Sequence, residues 1–297
     1  MLNKVPMKSI FKIVFASLWV LLLNACDYVD REVVKNYGKE DVAPVDTTVS
    51  EDTTEIRIRK ILVEDFTGHT CPNCPKAATE IKNLENLYGE KIVAMALHVS
   101  ATFAEPQPPT YQADYRTTEG TAIDDFFNIS SSGLPKGMIN RKEIQGSPIV
   151  GFQSWGAEVS NSINLPLEAW ISMKNTYDAA LNKVTTNLKI DFESTIIDEI
   201  KLCVFLVQDS IISPQKDASA PGGKIINYAH NHMLRKGLTP AFGESIVTNP
   251  TATTPEISKS YSLVLSSDNV PENCKIVAYI YKASNYEVIQ VQEKHVK

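Results

Sequence analysis

The sequence predicts an α/β unit followed by an all-β unit, carried behind a cleavable leader and a tether. Three observations lead to this division. A strand-like run from Arg57 to Phe66 passes through a turn holding Cys71-Pro72-Asn73-Cys74 into a helical stripe, and a second apolar run, Lys91 to Val99, follows at once. From Leu167 onward the apolar period becomes two, and strand follows strand. Pro166 marks the change. The expected segments are residues 1–25 (leader), 26–55 (tether), 56–165 (α/β) and 166–297 (all-β).

Lys4, Lys8 and Lys12 precede an uncharged run from Ile13 to Leu23, a basic region and an apolar core of signal-peptide length. The run ends Leu23-Asn24-Ala25-Cys26, which resembles a bacterial lipobox; in lipoproteins of that kind the chain is cut before the cysteine, which is then acylated. Cys26 is thereby expected to be a lipid anchor, and the membrane a partner through it. Two or more acyl chains hold a protein on a bilayer where one does not. An envelope location also allows disulfides to persist. Residues 27 to about 55, rich in Asp, Glu, Thr, Val and Pro, show no periodicity and read as a flexible tether.

In the α/β segment, Ala77, Ala78, Ile81, Leu84, Leu87 and Tyr88 recur at helical spacing, and Gly89 is placed to end the helix. A cysteine where a helix begins lies near the positive end of its dipole and its unpaired N–H groups, which favours the thiolate. Cys71 is therefore the expected attacking sulfur, exposed at the turn. Cys74, one turn on, is close enough to resolve a mixed disulfide. A zinc half-site would need a second Cys-x-x-Cys or a His-x-x-x-His, neither of which occurs, and a purely structural disulfide is the other alternative. Further along, a Pro-rich insertion at Ala104 to Pro109 reads as an exposed loop, and helices are expected over Thr118 to Phe127 and Gly151 to Ile163.

The run Val63-Glu64-Asp65-Phe66-Thr67-Gly68-His69-Thr70-Cys71-Pro72-Asn73-Cys74-Pro75 resembles thioredoxin-fold active sites. More narrowly it resembles the twenty-eight-kilodalton outer membrane protein family, lipoproteins of Bacteroidetes-type bacteria. Asp114 to Gly120, Gly133 to Arg141, Tyr228 to Arg235 and Tyr286 to Gln292 extend the likeness. The resemblance implies an outer-membrane lipoprotein with a thioredoxin-like domain. It further implies that Asp65, six residues before the first cysteine, lies beneath the pair and assists proton transfer, and that Leu134-Pro135 is a cis peptide shaping the substrate groove. Strand alternation admits only one of Glu64 and Asp65 to the interior, and Asp65 is favoured. His69 reads as a surface-loop residue. The Thr67 to Thr70 run and Pro75 depart from efficient thioredoxins, which leaves room for a specialised or lost activity.

In the second segment, runs at Glu168–Thr176, Val184–Glu193, Glu199–Gln208, Ser258–Ser266, Lys275–Tyr281 and Tyr286–Glu293 read as the strands of an immunoglobulin-like sandwich. Cys203 and Cys274 fall on or beside strands and could pair or stay free. Asp209 to Thr254 reads as one long connection, whose His230 and His232 are possible metal ligands or, more simply, packing residues.

Function remains two-sided at this level. With 35 Asp and Glu against 29 Lys and Arg, the chain lacks the basic face a nucleic-acid partner requires. The favoured reading is a thiol-disulfide oxidoreductase of the envelope, with Cys71, Cys74, Asp65 and Pro135 as its site, protein thiols or disulfides as partners, and no metal or organic cofactor. The alternative is a non-catalytic surface lipoprotein that uses the same scaffold to hold a protein or glycan ligand.

Overall fold

The computed structural model describes residues 56–297, so the leader, Cys26 and the tether lie outside the described residues. Strand β1 (Ile61–Thr67) is buried along its whole length, and helix α1 (Cys74–Tyr88) returns the chain to β2 (Ile92–His98), which runs parallel to β1 from Ile61↔Ile92 to Thr67↔His98. A parallel pair needs such a crossover. Ala77, Ile81 and Leu84 are the buried stripe of α1, Pro75 occupies its first turn, and Gly89 ends it with a positive φ of 58°. Leu87, which shares the apolar spacing, is exposed.

After the short α2 (Ala101–Ala104) comes α3 (Thr118–Phe127), whose Thr117 cap accepts the Gly120 N–H at 3.0 Å and whose end is turned by Asn128 in the left-handed region. Strand β3 (Lys136–Ile139) lies antiparallel to β1, and α4 (Trp155–Ser162) packs Trp155 and Val159 with Ile81 and Leu84 of α1 over the β1 and β2 face.

The second half contributes β4 (Ala169–Asp178), β5 (Lys183–Phe192), β6 (Glu199–Gln208), β7 (Ile211–Lys216), β8 (Lys224–His230), β9 (Met233–Gly237), β10 (Glu244–Thr248), β11 (Ile257–Val264), β12 (Cys274–Lys282) and β13 (Val288–His295). The connection read as a single long loop thus contains β7 to β10. Its strands are short and do not all alternate, so they lack a clear period-two signal.

The expected boundary at residue 166 does not separate two sheets. One eight-stranded sheet runs β13-β12-β6-β9-β2-β1-β3, with β10 also on β6, and the described residues belong to one compact unit. The reason lies in the free edge of β2, whose N–H and C=O groups need partners. Strand β9 supplies them: Ala96 pairs with Met233, and the Ala96 N–H donates to the His232 carbonyl at 2.7 Å. The sheet curls until its ends approach. Asn140, just past β3, accepts the Leu62 N–H at its side-chain oxygen and the Val288 N–H at its carbonyl, both at 2.8 Å.

The curl encloses a core of Leu62, Phe66, Met95, Phe205, Tyr279 and Val291, with Ile123 of α3 packed into it. On the outer face, α1 and α4 cover β1 and β2, while a separate sheet, β11-β5-β4, packs on β6, β12 and β13 through Ile171, Leu188, Leu206 and Ile276. The architecture is mixed α/β with mostly sheet.

Candidate functional site

Strand β1 ends at Thr67, and the chain crosses residues 68–73 before α1 begins at Cys74 with Asn73 as its cap. Gly68 makes this loop possible: a Cβ there would lie 2.1 Å from the Phe103 carbonyl oxygen, the same oxygen that accepts the Thr70 N–H at 3.0 Å. Cys71 and Cys74 are joined in a disulfide with their Cα atoms 5.5 Å apart. Contrary to the expectation of an exposed attacking sulfur, Cys71 is 0% exposed and Cys74 is 3% exposed.

Glu64 and Asp65 are both buried, so the expected choice between them does not arise. Both faces of β1 are covered. Glu64, with Leu62 and Phe66, faces the interior of the curled sheet, where Arg141 binds it. Asp65, with Ile61 and Val63, faces the side of α1. Its Oδ1 has no hydrogen-bond partner, and burial pushes its carboxyl up to about 8, so it is a neutral acid near pH 7. Asp65 and Cys74 line one cavity of about 740 Å³, together with Pro75, His98, Tyr228 and His230.

The Leu134–Pro135 peptide is cis. The pairing of Phe66 with Lys136 sets Pro135 one residue beyond the last paired residues, at the end of β1 from which the cysteine loop departs.

His69 is buried, contrary to the reading as a surface-loop residue. Its ring lies 6.2 Å from that of His98, which lies 5.6 Å from that of His230, and Tyr115 packs edge-on against His69 and His98 at 5.6 and 5.3 Å. Desolvation lowers all three histidines: His98 well below its ordinary value and His230 to about 4, the neighbouring histidines adding to the effect on those two. A neutral His69 offers no positive charge to a Cys71 thiolate. His230 and His232 diverge, because His230 packs on His98 and Tyr228 while His232 lies against Glu85 at 3.3 Å and Asp209 at 3.6 Å. Among the described residues no group of three or more His, Cys, Asp and Glu is arranged to hold a metal. Cys203 and Cys274 are free and buried in different cores, Cys203 inside the curled sheet and Cys274 against β4 and β5, which excludes the pairing considered for them.

Sequence reading missed the cover over the site. The β7–β8 hairpin lies on the cysteine loop: Lys216 N–H donates to the His69 carbonyl and Ala218 N–H to the Pro72 carbonyl, each at 2.9 Å, and the buried Gln215 amide donates to the Cys71 carbonyl at 2.9 Å.

Comparison with known proteins adds the family. Residues 122–297, more than half of the chain, match the outer membrane protein Omp28 family. The chain belongs to the Omp28 family. This match begins within α3 and extends to the end of the chain, so it takes in β3 and the hairpin but not the cysteine loop. HBP35 of Porphyromonas gingivalis is similar in fold, with a TM-score of 0.60 at 15% identity over 80% of this chain and 76% of that one. A domain of the outer membrane lipoprotein Omp28 from Porphyromonas gingivalis aligns at 19% identity over 45% of this chain and 93% of that one, with a TM-score of 0.32. No curated protein matches the chain. Omp28 membership puts the protein at the outer membrane of the cell envelope, and no helix among the described residues is long and apolar enough to cross a membrane.

Proposed function

We propose that this Omp28-family protein is a thiol-disulfide oxidoreductase of the cell envelope, anchored through an acylated Cys26. The observation that carries the reading is Asp65: a buried carboxyl without a partner at Oδ1, protonated near pH 7, lining the same cavity as Cys74. An unpaired buried acid is costly to keep and clusters at sites of proton transfer. In the reductive direction for this protein, a partner thiolate attacks Cys71 Sγ, the new S–S bond forms, and the Cys71–Cys74 bond breaks with its electron pair on Cys74. Neutral Asp65 then gives its proton to the Cys74 thiolate. In the reverse direction the Asp65 carboxylate takes that proton back as Cys74 resolves the mixed disulfide. Cis-Pro135, next to the loop, would line the partner's groove. No metal or organic cofactor enters these steps.

The second reading, a ligand-holding lipoprotein, is favoured by the burial of both sulfurs. It also draws on the strand order of the outer half. The strand orders β4-β5-β11 and β6-β12-β13, packed face to face, are the support for reading this half as an immunoglobulin-like, ligand-holding unit. A glutathione redox titration of the full chain, with mass spectrometric readout of Cys71 and Cys74, decides between them. A potential in the range of exchange enzymes supports catalysis, and one below about −300 mV supports a structural disulfide.

A further inference from the structure

The β7–β8 hairpin forms a two-stranded sheet of its own, outside both larger sheets. It leaves the body through a narrow neck, where the Ser210 N–H donates to Asn231 Oδ1 at 2.9 Å and the His232 N–H to Asp209 Oδ1 at 2.7 Å. Ser210 and His232 both hold left-handed backbone there, with φ of 59° and 55°. An isolated two-stranded hairpin is marginal in water, so contacts at its far end and flank decide its position.

Those contacts fall on the cysteine loop. Besides Lys216 and Ala218, whose N–H groups bind the carbonyls on either side of Thr70 and Cys71, Gln215 spreads its amide over the carbonyls of Gly68 at 3.2 Å, Cys71 at 2.9 Å and Lys216 at 2.9 Å. His230, at the base of the hairpin, packs on His98. Outward, Ile212 and Ile226 stand exposed, so the hairpin's other face is not built into the body. The cavity reaches Cys74 and Asp65 from the flank, whereas Cys71 does not line it.

We infer that the β7–β8 hairpin is a cover that selects what reaches the disulfide, and that Gln215 is the specificity-determining latch that holds it on the cysteine loop. This rests on the redox reading of the site. A thiolate must reach bonding distance of the sulfur it attacks, and with the hairpin in place Cys71 offers no surface. A protein dithiol therefore reaches Cys71 only after the hairpin lifts. A small reductant can also enter through the flank cavity toward Cys74.

The test uses the oxidised full chain and two reductants, dithiothreitol and reduced thioredoxin as a protein dithiol. Iodoacetamide labelling of Cys203 and Cys274 serves as an internal measure of general opening. Gln215→Ala and Gln215→Met, the second keeping side-chain bulk without the donors, are expected to speed reduction by the protein dithiol about tenfold, the effect of losing one or two hydrogen bonds. Reduction by dithiothreitol should change less, and Cys203 and Cys274 should stay as slow to label as in the unmodified protein. An unchanged protein-dithiol rate in both variants would overturn the cover. So would faster labelling of Cys203 and Cys274 in step with reduction, since the variants would then loosen the whole fold. Failure of the redox reading registers elsewhere, in the equilibrium potential of the disulfide.

Discussion

Arg141 and Glu64 form a fully buried ion pair inside the curled sheet, with guanidinium Nη2 and Nε donating to the two carboxylate oxygens at 2.6 and 2.8 Å. Nη2 also donates to the Tyr279 hydroxyl at 2.7 Å, and the guanidinium lies over the rings of Phe127, Tyr279 and Tyr281. The pair therefore ties β1 and the segment after β3 to β12. It also sorts the two adjacent acids of β1, leaving Glu64 paired and Asp65 without a partner at Oδ1 in the cavity that Cys74 also lines.

Removing one partner of a buried pair leaves an uncompensated charge. Arg141→Met should destabilise the fold by about 3–5 kcal/mol, and the double variant Arg141→Met with Glu64→Leu should recover much of that loss. Urea unfolding midpoints with unchanged slopes would measure both effects. A double variant as unstable as the single would show that the pair contributes more than mutual neutralisation.

Asp65 holds a proton in the folded state between about pH 4 and 8, whereas the unfolded chain releases it near pH 4. The folded state thus binds more protons in that window, and stability falls as pH rises through it, by up to roughly 5 kcal/mol. Asp65→Asn should remove this slope and be more stable than the parent at pH 8. In reaction of the reduced protein with a partner disulfide it should slow the step in which Cys74 gives up its proton and resolves the mixed disulfide, while leaving attack by Cys71 intact. Unfolding measured from pH 4 to 8 checks the first outcome, and stopped-flow thiol exchange checks the second.

His230 behaves with the opposite sign. Burial lowers its folded value to about 4, so between about pH 6.5 and 4 the unfolded chain binds the extra proton and stability falls as pH falls. The loss approaches about 3 kcal/mol by pH 4. His230→Phe, which keeps a ring against His98, should flatten the acid limb of the stability profile. An unaltered acid limb would assign it to other groups.

If Cys71 attacks and Cys74 resolves, Cys74→Ala should trap mixed disulfides with envelope proteins, and Cys71→Ala should trap few or none. Non-reducing electrophoresis with mass spectrometry of captured partners gives the result. Absence of trapped partners in Cys74→Ala, also when combined with Gln215→Ala, favours the ligand-holding reading.

Cys26→Ser should abolish acylation and release the protein from membranes. Membrane fractionation with mass spectrometry of the N-terminus checks this. An acylated N-terminus in that variant would overturn the lipobox reading.

Local chemistry was legible in the sequence. The order β1, Cys-x-x-Cys, α1, β2 follows from an apolar run, a Pro-containing first turn, a 3.6-residue stripe and a terminating glycine, all set by neighbours within a few residues. Helix α3 likewise spans Thr118–Phe127, where a helix is expected. Tertiary structure decided the rest. Strands β7 to β10 are too short and irregular to stand out by period, and β9 is a strand because the edges of β2 and β6 both need partners. That bridging strand joins the two halves into one sheet. Alternation along β1 could not foretell that both of its faces would be covered, so it offered one buried acid where the fold holds two. Nor could spacing around Cys71 reveal its burial or that of His69, because Cys71 is covered by Gln215 of the distant β7–β8 hairpin and the His69 ring by His98 and Tyr115 of other segments. A side chain's burial depends on what the rest of the chain brings to it, and that information is not local.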